Sequence, residues 1–253
     1  MTRLARLTDD TTPADALQAY LLGAVPVHSI YTLMRRLAYE VSGCRSSGVL
    51  ILCEHPPSAS IGRSGSLGQL AIDPVEGPVA VRKRGWAIDW VAHGGRTMIH
   101  LPGQLAIYPV VALDYCGLSP ARYLQRLHAV VREVLAQVAP AIELQSDDFG
   151  MLVSGRRLIA QGIAVRSGVA SWGMTLNVNP DLESLAELRL PGDDAPMTSL
   201  ERETRSPLRR AALRQKFVES FASMFGFSRT TVFHHHPLLT LGTYADAIAD
   251  RTG

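Results

Sequence analysis

The chain has 253 residues, of which 47% are hydrophobic and 19% charged, with a formal net charge of +2 at pH 7. That length supports a sizeable core, in one large domain or two small ones. With no run of about 18 apolar residues, and near-neutral charge, composition gives no reason to expect a membrane span or nucleic-acid binding. The segment Met1–Asp10 lacks the apolar stretch of a signal peptide, so a cytoplasmic protein is expected. The three cysteines, Cys44, Cys53 and Cys116, have neither the number of a disulfide framework nor the spacing of a zinc site. No metal or cofactor is called for.

Residues 1–17 are polar and irregular and read as a loose extension. From Ser29, the positions Ile30, Leu33, Met34, Leu37, Ala38 and Val41 recur at three-and-four spacing, which predicts a helix ending near Gly43. Val49–Cys53 is an apolar run suited to a buried strand, closed by Pro56-Pro57. Val79–Arg82, Trp86–Val91, Met98–His100 and Leu105–Leu113 read as further strands between glycine and proline turns. Ser119 before Pro120 is a helix start, and Leu124, Leu127, Val131, Val134, Leu135 and Val138 form its apolar stripe. Strands return at Gly150–Ser154, Leu158–Arg166 and Ser171–Val178. A last helix from about Leu208 to Phe225 carries Leu213, Phe217 and Phe221 and stops at Gly226. The expected architecture is α/β (α+β), a mixed sheet flanked by helices. Its divisions are a main domain over 18–178, a small C-terminal subdomain over 179–227, and a tail over 228–253.

The segment from Gly94 to Pro109, with its Gly94-Gly95 pair, His100, Pro102-Gly103-Gln104 turn and Tyr108-Pro109 end, resembles the hallmark of the octanoyltransferases that begin protein lipoylation, in the biotin/lipoate protein ligase superfamily. Four further segments are similar to that family in the same order: Glu54-His55-Pro56-Pro57 with Ile61-Gly62-Arg63, Leu158–Ile163, Gly173–Asn179, and Met197-Thr198-Ser199-Leu200. The resemblance covers roughly Val25 to Phe227. It implies a pocket for an acyl group lined by Arg63, Gly94, Gly95, His100, Gly103, Gln104, Gly162 and Asn177. The implied partners are an acyl carrier protein and a lipoyl-accepting domain. Without the resemblance, His100 reads as a hydrogen-bonded core histidine and the glycines as turn residues.

The family works through a cysteine thioester with a lysine nearby to handle the proton. Here the cysteine position falls on Leu190 or Pro191, depending on which neighbouring motif anchors the count, and the lysine position falls on Arg157. Neither Leu190 nor Pro191 is a nucleophile, and a guanidinium stays protonated at any ordinary pH. The pocket positions His93, Ile99, Leu101 and Trp172 also depart from the pattern. The expectation is a transferase-like protein without cysteine–lysine chemistry that binds an acyl group, a carrier protein or a lipoyl domain.

Two other readings stay open. One is an active transferase using another nucleophile, with Cys53, in a buried-strand pattern, or Cys116, expected to be exposed near the turn Asp114-Tyr115-Cys116-Gly117, brought beside Arg157. The other is an interaction subunit pairing through Ile99 and Leu101 or through its C-terminal tail. His234-His235-His236 is read as a solvated or structural tail rather than a metal site, because consecutive side chains diverge. Arg82-Lys83-Arg84, Arg156-Arg157 and the Arg209-Arg210-Arg214 face are read as a docking surface or as solvated charge.

Overall fold

A computed structural model describes residues 16–70, 85–187 and 195–239. The predicted strand Val79–Arg82, the basic run Arg82–Arg84, Leu190 and Pro191 lie outside the described residues. The first element is a strand, β1 (Ala16–Ala24), which periodicity did not flag and which begins inside the stretch read as a loose extension. Helix α1 (Val27–Gly43) follows and buries Ile30, Leu33, Met34, Leu37 and Val41 on one face. Next come β2 (Ser47–Glu54), β3 (Ser58–Ile61), β4 (Ala87–Trp90), β5 (Thr97–His100) and β6 (Gln104–Ala112).

Helix α2 (Pro120–Val138) starts as expected: the Ser119 Oγ accepts a hydrogen bond from the Arg122 N–H at 3.3 Å, and Pro120 occupies the first turn, where its missing N–H costs nothing. Strands β7 (Leu144–Asp147), β8 (Gly150–Val153), β9 (Arg156–Arg166) and β10 (Val169–Asn177) form a meander. Helices α3 (Leu182–Glu187), α4 (Leu200–Thr204) and α5 (Arg210–Phe225) follow, and α5 ends at Gly226 in the left-handed conformation, φ 75°. Finally β11 (Arg229–Phe233), within the stretch read as a tail, pairs in parallel with β1 at the edge of the sheet.

The main sheet has eight strands in the order β11-β1-β2-β6-β10-β9-β8-β7, and β4-β3-β5 form a second, smaller sheet. Side chains alternate across β6. Leu105, Ile107 and Val111 face a core closed by α2 and by Phe217, Phe221 and Phe225 of α5, whereas Ala106, Tyr108 and Val110 face α1. The small sheet packs Ala59, Ile61, Ile99 and Leu101 into a third cluster with Leu185. Ile99 and Leu101, 7% and 4% exposed, are therefore core residues, which removes the reading in which they pair subunits.

Part of the basic face of α5 is engaged within the fold. Arg210 and Arg214 both hold Glu54, at 3.1 and 3.2 Å, and this ties the last helix to the end of β2. Arg156 likewise pairs with Glu203.

Candidate functional site

The resemblance-derived residues fall into two neighbouring groups that meet at His100-Leu101. In the first, the Gly94-Gly95 loop lies on β9, with the Gly94 N–H donating to the Ile163 carbonyl at 2.7 Å. A β-carbon on Gly94 would stand 2.6 Å from that same oxygen, and one on Gly162 would stand 2.8 Å from the Gly94 carbonyl, so glycine at both places sets how closely loop and strand approach. His93 is fully buried in this layer, and its ring lies edge-on to Trp172 at 5.0 Å. Gly95 and Arg63 stay exposed.

Partners fix the protonation pattern of the histidines. The Nδ1 atoms of His55 and His93 lie 2.6 and 2.9 Å from the Val25 and Gly94 carbonyls, which only accept, so both nitrogens carry hydrogen. His55 Nε2 then accepts from the Tyr108 hydroxyl at 3.0 Å. Ser60 Oγ sits 2.8 Å from His100 Nε2 and 3.3 Å from His93 Nε2. Its one hydrogen goes to the bare His93 nitrogen, so His100 donates to Ser60. That leaves His100 Nδ1 as a buried lone pair with no hydrogen-bond partner among the described residues.

Burial pushes His55 down to about 4 and lowers His93. Burial, reinforced by His55 and His93, also holds His100 well below the usual range. In the unfolded chain these imidazoles bind protons near pH 6.5. The folded state resists them, so stability is complete above about pH 6.5 and is lost as the pH falls toward 4. His55 alone is expected to remove about 2 kcal/mol by pH 5. Urea unfolding at pH 7.5 and pH 5 checks this, and equal stability at the two would contradict buried neutral histidines.

The second group lies at the ends of β6, β9 and β10. Gln104 Oε1 accepts from the Leu101 N–H at 2.7 Å, and its Nε2 donates to Asn177 Oδ1 at 2.8 Å; Asn177 Nδ2 donates to the Thr198 carbonyl at 3.0 Å. The Thr198 N–H in turn donates to the Arg157 carbonyl. Gly103, at φ 90°, accepts from the Val178 and Asn179 N–H groups while its own N–H donates to Glu54. Gln104, Asn177 and Gly103 thus spend these polar groups on holding the turn and the 196–199 segment against the sheet.

Arg157 is 1% exposed. Its Nη1 and Nη2 each donate to one oxygen of Asp147 at 2.7 Å, and the guanidinium lies 5.7 Å over the Phe149 ring. The guanidinium holds the Asp147 carboxyl below the usual range. Sequence reasoning missed Asp147; the signal available was that a buried strand arginine needs an acid, and that Asp147 sits across the β8 hairpin.

The cysteines stand apart from Arg157. Cys53 is on β2, three strands away from β9, about 14 Å at usual strand spacing. It is fully buried beside His55, and burial raises its thiol, so no thiolate forms there. Cys116, expected at the surface, is 6% exposed: its N–H donates to the Ala112 carbonyl, a helical turn that tucks the thiol onto the core under α2. Its thiol is likewise raised by burial. Cys44 is exposed at the end of α1. Among the described residues no group of three or more His, Cys, Asp or Glu side chains is placed to hold a metal. His236 packs against the Tyr20 ring.

Residues 28–222 match the lipoyl protein ligase A/B catalytic domain family. An octanoyltransferase of Chloroflexus aggregans is 30% identical over 214 residues, covering 83% of this chain and 95% of the relative. One of Geobacter sulfurreducens is 30% identical over 204 residues, 80% of this chain and 82% of the relative. In fold, the chain is similar to a bi-partite lipoate protein ligase of Thermoplasma acidophilum, solved in work on that ligase and its lipoyl domain. The two superpose with a TM-score of 0.61 at 15% identity over 92% of each chain.

Proposed function

Because the chain belongs to the lipoyl protein ligase A/B catalytic domain family, we propose that it serves protein lipoylation by binding an acyl group, an acyl carrier protein or a lipoyl domain, without cysteine–lysine acyl transfer. The observation that carries this reading is Arg157. At the position where the resemblance expects a lysine able to give up and regain a proton stands a guanidinium, enclosed and locked fork-to-fork on Asp147. Such a group holds charge and does not exchange protons near neutrality. Leu190 and Pro191, where the cysteine is expected, offer no nucleophile. Support also comes from the two buried cysteines, whose thiols are raised and sit away from Arg157.

On this reading the family's pocket-forming turns are kept and its proton-handling groups are gone, which fits recognition without turnover. Calorimetric titration of the purified chain with octanoyl-acyl carrier protein and, separately, with an apo lipoyl domain tests the binding part. Saturable 1:1 association with at least one of them, with Kd on the order of micromolar as for transient partners, is expected. No heat and no complex with either would remove the reading.

A further inference from the structure

The main sheet ends in an open edge at β11. This strand pairs with β1 and, among the described residues, has no second strand neighbour, so one row of its N–H and C=O groups is unpaired within the sheet. All five of its residues are exposed, although β11 runs parallel to β1 and parallel strands are normally covered on both faces. Of the five large apolar side chains exposed among the described residues, Val232, Phe233 and Leu238 lie on this edge or just beyond it.

Proteins usually blunt such an edge with proline, lysine or a bulge. Arg229-Thr230-Thr231-Val232-Phe233 has neither proline nor lysine, and its register with β1 runs unbroken from Ala16 beside Arg229 to Tyr20 beside Phe233.

The strand is also complementary to itself. In an antiparallel pair of two copies centred on Thr231, one face sets Thr230 against the partner's Val232, twice, and gathers four β-branched side chains. The other face sets Thr231 against the partner's Thr231, between two pairings of Arg229 with the partner's Phe233 that suit cation–π contact. Phe233 already stacks on Tyr20 at 5.1 Å, so the partner's Arg229 extends that row of rings. A parallel pair would instead place Arg229 beside the partner's Arg229, a repulsive match.

We propose that β11 is a homodimer interface: two copies of this chain join antiparallel through β11 about a two-fold axis at Thr231, forming one continuous sheet with eight strands from each copy. The interface involves neither Arg157 nor the pocket residues and does not depend on the lipoylation reading.

Sedimentation equilibrium of the full chain tests it. A reversible monomer–dimer equilibrium with Kd on the order of 10–100 µM is expected, because an edge of five residues, about 17 Å long, makes a small interface. Thr231→Lys sets two ammonium groups opposite each other on the axis. It is expected to weaken association at least tenfold and, since Thr231 is exposed, to leave the urea midpoint of the monomer unchanged. Phe233→Glu and Phe233→Lys both lose the ring stacked on Tyr20, but one meets the partner's Arg229 with opposite charge and the other with like charge. The glutamate variant is expected to associate at least tenfold more tightly than the lysine variant. A chain monomeric up to about 500 µM, whether its edge is open or covered by another part of the chain, would overturn the proposal. So would association unmoved by Thr231→Lys, or equal association of the two Phe233 variants.

Discussion

Asp147→Ala is expected to destabilise the protein by about 3 kcal/mol, within the range for removing one member of a buried pair. The cost falls mainly on Arg157, whose side chain is 1% exposed and would keep its charge with no carboxylate to meet it, whereas the Asp147 side chain is 34% exposed. Asp147 also accepts the Phe149 and Gly150 N–H groups at 2.9 Å, so Asp147→Asn, which can still accept at the turn, is expected to cost less. Arg157→Met alone leaves a carboxylate that water reaches, and it is expected to cost about 1 kcal/mol. With both residues replaced, the cost is expected to be about 2 kcal/mol rather than the roughly 4 that the single costs add to, so the double-mutant cycle shows a coupling of about 2 kcal/mol. Urea unfolding with unchanged m-values measures all four. A cost below about 1 kcal/mol for Asp147→Ala would mean that Arg157 escapes to solvent, and the account of an arginine fixed at the lysine's position would fail.

Trp172→Ala is expected to cost about 3–5 kcal/mol, the usual loss for deleting a large buried aromatic. Its ring is 3% exposed and packs on His93, Tyr108 and Tyr31. Trp172→Gly deletes the same ring but also relieves the left-handed backbone at φ 63°, recovering about 1 kcal/mol. Glycine is therefore expected to be the more stable replacement. At an ordinary strand position the order is the reverse, with glycine about 0.5–1 kcal/mol worse than alanine. Thermal and urea unfolding of the pair decide it, and an alanine variant more stable than the glycine variant would contradict a strained Trp172.

The helices were legible because their signals are local. Leu33, Met34, Leu37 and Val41 mark the buried face of α1, Ser119 caps α2, and Gly226 ends α5 in the conformation that glycine favours. The buried strands β2 and β6 were legible as unbroken apolar runs, since both their faces are covered. The outer strands were not. β1 follows a polar stretch, and all five residues of β11 are exposed, so only pairing with a distant segment makes it a strand. Resemblance gathered His93, His100, Gly94 and Gly162 into one neighbourhood, but it did not give their hydrogen bonds. The partners of Arg157 and of Glu54 are set by tertiary packing; Glu54 meets Arg210 across 156 positions of sequence. The sign of a φ angle at Trp172 has no sequence signal at a non-glycine residue. Cys116 was misplaced because the polar turn Asp114-Tyr115-Cys116-Gly117 conceals one buried side chain among exposed neighbours.

The proposed function has this chain keep the family's fold without its cysteine–lysine transfer. The direct measurement is the intact mass of all three proteins after the purified chain is incubated with octanoyl-acyl carrier protein and an apo lipoyl domain, beside an active octanoyltransferase as control. The control is expected to octanoylate the lipoyl domain, while this chain leaves the domain unmodified and gains no octanoyl mass itself. An octanoyl group on the lipoyl domain in the presence of this chain, above the enzyme-free background, would contradict it.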